Sequence, residues 1–164
     1  MIAKAIGAKV IAVDINPDAL QKAVELGADF SINSSQSNPV TTIWDITDLG
    51  AHVSIDALGS ETTANNAVLS LRRMGRHVQL GLLLTESGQS LMPMSRVIGW
   101  EIDILGSHGM PAVDYPKMLA LVASGELKPQ DLISREVSLS AGAEELGKME
   151  NSKRSGITII KPSM

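Results

Sequence analysis

Residues 8–29, AKVIAVDINPDALQKAVELGAD, constrain the fold more than any other stretch of the chain. An apolar run from Lys9 to Val13 ends on an acidic residue, Asp14, and Pro17 then opens an amphipathic helix that closes at Gly27. A short apolar run passing at once into a helical period is the repeating unit of a parallel α/β sheet. A carboxylate at the C-terminal end of a buried parallel strand stands where a doubly wound sheet holds an adenosine ribose. The phosphate-cradling G-x-G-x-x-G that belongs about 20 residues before such an acid is absent, and the chain starts too late to contain it.

The same alternation continues downstream. Further apolar runs are ADFSIN (28–33), AHVSIDAL (51–58), RHVQLGLL (76–83) and EIDILGS (101–107). Buried parallel strands read as near-continuous apolar stretches, and most of these do. Asn16 caps the first helix, with Pro17 at N1, Asp18 near the positive dipole end and Leu20, Ala23 and Val24 inward. A second helix is expected over 39–49 with Val40, Ile43 and Trp44 inward. A third, after Gly59, carries Ala64, Ala67, Val68 and Leu71 at helical spacing and ends on Arg72 and Arg73 before Gly75. Residues 84–99 form a longer connection with one short helical turn. A helix from Pro111 buries Tyr115, Met118, Leu119 and Val122 and stops before Gly125. Beyond it come a loop, KPQDLIS, a strand-like REVSL, a short helix capped by Ser140, and a strand-like GITIIKP.

The totals fit this reading. A chain of 164 residues with 44% apolar residues can bury a real core, and with aromatics at 2% the aliphatics and Met must pack it. Net charge is −4 with no basic stripe, which argues against nucleic acid. No apolar run approaches the roughly 18 residues of a membrane span, and the first residues lack a signal peptide's pattern. A soluble, cytoplasmic protein is the expectation. With no cysteine there is neither a disulfide framework nor a thiolate metal site.

Asp14 is the sharpest site candidate. A ribose diol presents two hydroxyl donors that one carboxylate can accept, whereas a 2′-phosphate would be repelled, so Asp14 points to NAD over NADP. The alternative is an acid that only caps the strand-to-helix turn. Leu58 and Gly59, after Asp56 and Ala57, end the third strand and face the same cleft, or else form a plain turn in which Gly59 allows positive φ. Leu80, Gly81 and Leu82, with Gly106 and Ser107, close the next two strands, where main-chain groups could meet a nicotinamide carboxamide. His52, His77 and His108 are not spaced as metal ligands. His52 and His77 read as surface or rim residues at strand starts, and His108 alone falls near the cleft. No serine nucleophile has a base and an orienting acid beside it.

Taken in order, AKAIGAKVIAVDINPDALQKAVELGAD, HVSIDALGS, GRHVQLGLL, IDILGSHGM and SGITIIKP resemble the nucleotide-binding half of the medium-chain, zinc-type alcohol dehydrogenase family over nearly the whole chain. The resemblance implies a Rossmann-like, doubly wound parallel sheet that lacks its first strand and Gly-rich loop. It divides the chain into a truncated dinucleotide-binding domain, 1–134, and a segment, 135–164, that in the family returns to the catalytic domain. It implies that Asp14 is the ribose acid, with Ile15 and Asn16 beside the adenine. Leu58 and Gly59 then flank the adenosine, and Leu80, Gly81, Leu82, Ile104 and Leu105 surround the nicotinamide. The family places an arginine after the glycine of the closing motif to meet the pyrophosphate; here Ile157 follows Gly156 and Arg154 lies earlier. The catalytic zinc and its ligands belong to a domain that this chain does not contain. The resemblance also implies a homodimer through the edge strand 101–107.

In the strand order 3-2-1-4-5-6 the first strand is central. Its loss leaves two interior edges that could be repaired by direct pairing of strands 9–14 and 51–58, by another chain, or by the tail Ile157–Ile160 folding back. The helix that should hold the pyrophosphate has lost its start, so NAD binding by this chain alone is expected to be weak or undetectable. Two functional readings stand: a fragment of an NAD-dependent alcohol or polyol dehydrogenase that supplies the cofactor domain for hydride transfer, or a non-catalytic nucleotide-binding or interaction module. A methyltransferase-type site also uses an acid after its second strand, but the later motifs disfavour it.

Overall fold

A computed structural model describes residues 1–84, 89–149 and 155–163. The chain divides into two compact units, Met1–Ser35 with Pro111–Met164, and Gln36–Met110.

The first unit opens on α1 (Ile2–Ala5), a single turn. Strand β1 (Ile11–Asp14), helix α2 (Pro17–Glu25) and strand β2 (Phe30–Asn33) follow. Helix α2 starts where local chemistry dictates: the Asn16 side chain accepts the Asp18 N–H at 2.9 Å, and Pro17 brings a preset φ and no orphan N–H. β1 and β2 pair in parallel, Ile11 opposite Phe30 and Asp14 opposite Asn33. Leu20 of α2 and Ile32 of β2 are buried, whereas Val24, expected inward, is 43% exposed. Asp29 fastens the start of this unit, because its carboxylate accepts the Val10 N–H at 2.7 Å and Lys4 Nζ at 2.9 Å. The Lys4 hydrogen bond, then that of Val10, hold the Asp29 carboxyl below the ordinary carboxylate range.

The second unit contains α3 (Pro39–Thr47), β3 (Ala51–Asp56), α4 (Glu61–Leu69), β4 (Leu71–Gln79), α5 (Met94–Trp100) and β5 (Asp103–Gly106). Asn38 caps α3 by accepting the Val40 and Thr41 N–H groups. Ser60 and Thr63 cap α4 reciprocally, each side chain bonded to the other's backbone. In α3 Ile43 is buried and Val40 and Trp44 are half-buried. The three strands form one parallel sheet in the order β3–β4–β5. Val68, Leu71 and Ile102 make its core.

One boundary differs from the sequence reading. Helix α4 ends at Leu69, and Leu71 opens β4 rather than closing a helix. The Ser70 hydroxyl donates to the Asn66 carbonyl at 2.6 Å and helps close the last turn, and Leu71 then buries completely as a strand residue. A leucine at the end of a helical apolar stripe meets the core equally well from the first position of a strand, so periodicity cannot separate the two. Arg72 and Arg73 therefore lie on β4, in a bulge between the Ala51–Leu71 and Val53–Arg76 pairs. The expected turn within 84–99 is α5, seven residues long, while 85–88 lie outside the described residues.

The chain returns to the first unit through a 3₁₀ turn (Ala112–Asp114), α6 (Tyr115–Ala123), a second 3₁₀ turn (Pro129–Leu132), β6 (Ile133–Ser138), α7 (Leu139–Lys148) and β7 (Ile157–Lys161). β6 and β7 pair in parallel. On α6, Met118 and Val122 are partly buried, but Tyr115 and Leu119, expected inward, are exposed. The cap of α7 is Ser138 rather than Ser140: the Ser138 hydroxyl accepts the Ala141 N–H, and Ser140 touches that hydroxyl through its own.

β1–β2 and β3–β4–β5 are what the order 3-2-1-4-5-6 leaves when its first strand is removed. Among the described residues the tail does not make the repair expected of it. Among the described residues β1 pairs with β2 alone and β3 with β4 alone, and Ile157–Ile160 pairs with β6. The tail finds a closer solution because β6 and β7 bracket α7 as a local unit. Among the described residues no helix is long and apolar enough to cross a membrane.

Candidate functional site

The expected site residues fall into two groups, one in each unit, and each group sits at the C-terminal ends of its strands. In the first unit Asp14 ends β1 and is exposed. Its Oδ1 accepts the Asn16 N–H at 2.9 Å, a local turn that aims the carboxylate. Among the described residues its other oxygen accepts nothing, so one acceptor remains for an incoming donor. Ile15 is exposed beside it, and the Asn16 side chain is occupied in capping α2.

In the second unit Leu58 and Gly59 follow β3, Leu80, Gly81 and Leu82 follow β4, and Ile104 and Leu105 lie in β5 opposite His77 and Val78. The leucines and Ile104 present exposed apolar side chains. The two glycines bring their loops into backbone contact: a Cβ on Gly59 would lie 2.3 Å from the Leu82 carbonyl oxygen, and one on Gly81 would lie 2.3 Å from the Gly59 nitrogen. Gly59 also has φ +83°, which other residues rarely adopt.

Asp56 ties these loops together from below. Its backbone carbonyl accepts the N–H groups of Leu80 and Gly81, both at 2.9 Å. Its Oδ1 accepts the N–H groups of Leu58 at 3.0 Å and Gly59 at 3.3 Å. Its Oδ2 accepts Gln79 Nε2 at 2.8 Å, and the same amide nitrogen donates to the Gly81 carbonyl at 2.8 Å. Because Gln79 donates through its nitrogen, its oxygen must accept, so His77 Nε2 carries the hydrogen across the 3.0 Å contact. His77 Nδ1 is then the acceptor for the Ser54 hydroxyl, also at 3.0 Å. The chain Ser54–His77–Gln79–Asp56 thus has one sense throughout and ends on a carboxylate. His77 is 0% exposed and Asp56 4%. Burial pushes the Asp56 carboxyl up, but hydrogen bonds from Gln79, Gly59, Leu58 and Thr63 outweigh it and hold the group below its ordinary value.

The sequence reading placed His77 on the rim, and the structure corrects this. Because β4 begins at Leu71, His77 sits well inside the strand with its side chain against Ser54 on β3. Ser54 and Asp56 alternate on β3 as His77 and Gln79 do on β4, and the register sets Ser54 opposite His77 and Asp56 opposite Gln79. Matched polar residues two apart in neighbouring apolar runs were the available signal. His52 is exposed and bonded to Arg72, and His108 is exposed. Arg154 lies outside the described residues. No group of three or more His, Cys, Asp or Glu that could hold a metal ion exists among the described residues.

Comparison with known proteins agrees with this architecture. The family model described as "Zinc-binding dehydrogenase" matches residues 1–124. An NAD-dependent alcohol dehydrogenase of Sulfurisphaera tokodaii is 32% identical over 98% of this chain and 46% of its own length. An erythritol/L-threitol dehydrogenase of Mycolicibacterium smegmatis is 29% identical over 90% of the chain and 40% of its own length. Among solved structures, the alcohol dehydrogenase of Aeropyrum pernix superposes with a TM-score of 0.82 at 26% identity, over 98% of this chain and 45% of its own. The chain therefore spans less than half the length of these relatives. With most of its residues matched and its parallel α/β organisation shared, the chain belongs to the zinc-binding dehydrogenase family.

Proposed function

We propose that this chain is the cofactor-holding half of an NAD-dependent alcohol or polyol dehydrogenase. The observation that carries the reading is the exposed Asp14 carboxylate, aimed by Asn16 from the end of a parallel strand with one oxygen available to a hydroxyl donor. When bound, NAD supplies the hydride acceptor. The chain's own residues bind and orient: Asp14 takes the adenosine ribose, Ile15 and Asn16 border the adenine, and Leu58 and Gly59 flank the adenosine. Leu80, Gly81, Leu82, Ile104 and Leu105 line the nicotinamide side. The chain has no cysteine and its described residues no metal cluster, so a zinc does not fit them.

Binding by this chain alone is weak on this reading. α1 is a single turn, too short to sum a useful dipole toward a pyrophosphate. Ligand-observed saturation-transfer NMR suits that regime. The adenosine-ribose protons of NAD should take up saturation from the protein, those of NADP should take up less, and Asp14→Asn should remove the NAD signal. An NAD signal that survives Asp14→Asn unchanged would sink the assignment, and a Kd of a few micromolar, about −7 to −8 kcal/mol, would sink the expectation of weak binding. On the same reading a second copy pairs along the outer edge of β5, whose four residues are all exposed. Ile104→Pro, which removes a ladder N–H, should convert a dimer to a monomer in light scattering. A wild-type chain that scatters as a monomer would refute the pairing.

A further inference from the structure

At the opposite end of β4 from Leu80–Leu82 lies a second feature, independent of the dehydrogenase reading. An open cleft of about 340 Å³ is lined by Trp44, Leu49, Arg72, Arg73 and Trp100. That volume is at the lower end of the range for small-molecule sites, about 300–1,000 Å³. Trp44 and Trp100 meet edge to face, ring centroids 5.4 Å apart. The Trp44 indole N–H is already donated to the Leu69 carbonyl at 3.1 Å, so this ring offers the cleft only apolar surface. Against Trp100 lie two guanidinium groups, Arg96 at 3.8 Å and Arg73 at 5.3 Å from the ring centroid. Arg72 donates to His52 Nε2 at 2.6 Å and Arg73 to the Gly99 carbonyl at 3.3 Å. Arg76 and Arg135 pair with carboxylates, but among the described residues no carboxylate lies within 4.0 Å of Arg72, Arg73 or Arg96. Three arginines with no carboxylate partner among the described residues, gathered at one aromatic pair, form a positive centre with apolar walls.

We propose that this cleft binds a small aromatic carboxylate. The ring would lie against Trp44, Trp100 and Leu49, and the carboxylate would take the guanidinium donors of Arg72 and Arg73, whose planar forks match its two oxygens. Both halves of the ligand are needed. An uncharged ring leaves the arginines without a counter-charge, and a bare anion leaves the apolar walls to water.

The chain supplies its own reporters, because Trp44 and Trp100 are its only tryptophans. Titration with 2-naphthoate, followed through the two indole N–H resonances by ¹⁵N–¹H NMR, should shift both saturably with a Kd of about 1 mM or tighter. Acetate and 2-naphthylmethanol at the same concentrations should give no saturable shift. Arg73→Gln should weaken binding about tenfold, as expected for loss of one charge-assisted hydrogen bond, and Arg73→Lys should recover part of it. Arg76→Gln, on the same strand but paired with Asp103, should leave the affinity unchanged. Equal affinity for 2-naphthylmethanol, or for Arg73→Gln and wild type, would overturn the proposal. So would indole signals that coincide and do not respond, since the tryptophan pair would then not exist.

Discussion

Two aspartates end two parallel strands of this chain, and they do opposite things. Asp14, at the end of β1, is exposed, held by one backbone N–H, and keeps an oxygen available. Asp56, at the end of β3, is buried and has both oxygens taken by Gln79 and by the N–H groups of the loop that follows. The first leaves an acceptor open at the surface. The second is a pin that fixes the shape of the loops above it. A carboxylate at a strand end is thus no evidence of ligand binding until its partners are known. A satisfied, buried acid rigidifies its surroundings, and a half-satisfied, exposed one remains available.

The largest test of this contrast is to truncate the pin. Asp56→Ala removes the acceptor of the Leu58 and Gly59 N–H groups and one of the two acceptors of the Gln79 amide, which keeps the Gly81 carbonyl, and should lower the unfolding free energy by about 3 kcal/mol. A loss under about 1 kcal/mol in urea denaturation would erase the distinction. Next is the loop contact itself. Gly81→Ala places a methyl 2.3 Å from a backbone nitrogen and should cost about 3 kcal/mol. Gly106→Ala meets nothing within 4 Å and should stay within about 0.5 kcal/mol.

A pH series separates the two acids more gently. The folded-state value of Asp56 lies below its ordinary one, so its contribution is fully present above that ordinary value and is lost as the pH falls through the lower folded value. Asp56→Asn should therefore flatten the stability curve below about pH 4. Asp29, depressed by Lys4 and Val10, has the same sign, and Lys4→Met should remove a smaller part of that slope because the pair is partly exposed. The smallest stability effect belongs to Asp14→Asn, within about 0.5 kcal/mol, although it should abolish the NAD signal. A large destabilisation there would make Asp14 a pin like Asp56.

Much of this architecture is readable from local patterns. The strand–cap–helix run from Lys9 to Gly27 folds as its residues dictate, because Asn16, Pro17 and Asp18 act within one turn of each other. Strands β2, β3 and β5 sit within their apolar runs, whereas β4 starts five residues before its run of 76–83 and ends at Gln79; the Asn38 and Ser60 caps obey the same short-range rules. What was not readable depends on neighbours distant in sequence. Leu71 suits the end of a helix and the start of a strand equally, and pairing with Ala51 decides it. Tyr115 and Leu119 have the spacing of a buried face, yet the described residues leave them exposed. His77 gives only the faint sign of a polar pattern shared with β3, and its burial is decided once Ser54 is set opposite it.

The order of apolar runs and turn residues by itself determined a parallel α/β chain with an acid at the end of β1, because period, cap and turn chemistry act over a few residues. It also carried the family, through motifs whose order and spacing survive at about one-third identity. Only the tertiary structure decided that Asp56, His77 and Gln79 form one hydrogen-bonded chain under the loops after β3 and β4. The same holds for three arginines gathered around one tryptophan pair. Both depend on strand register and burial, which bring together side chains more than twenty residues apart and set whether each polar group meets water or a partner.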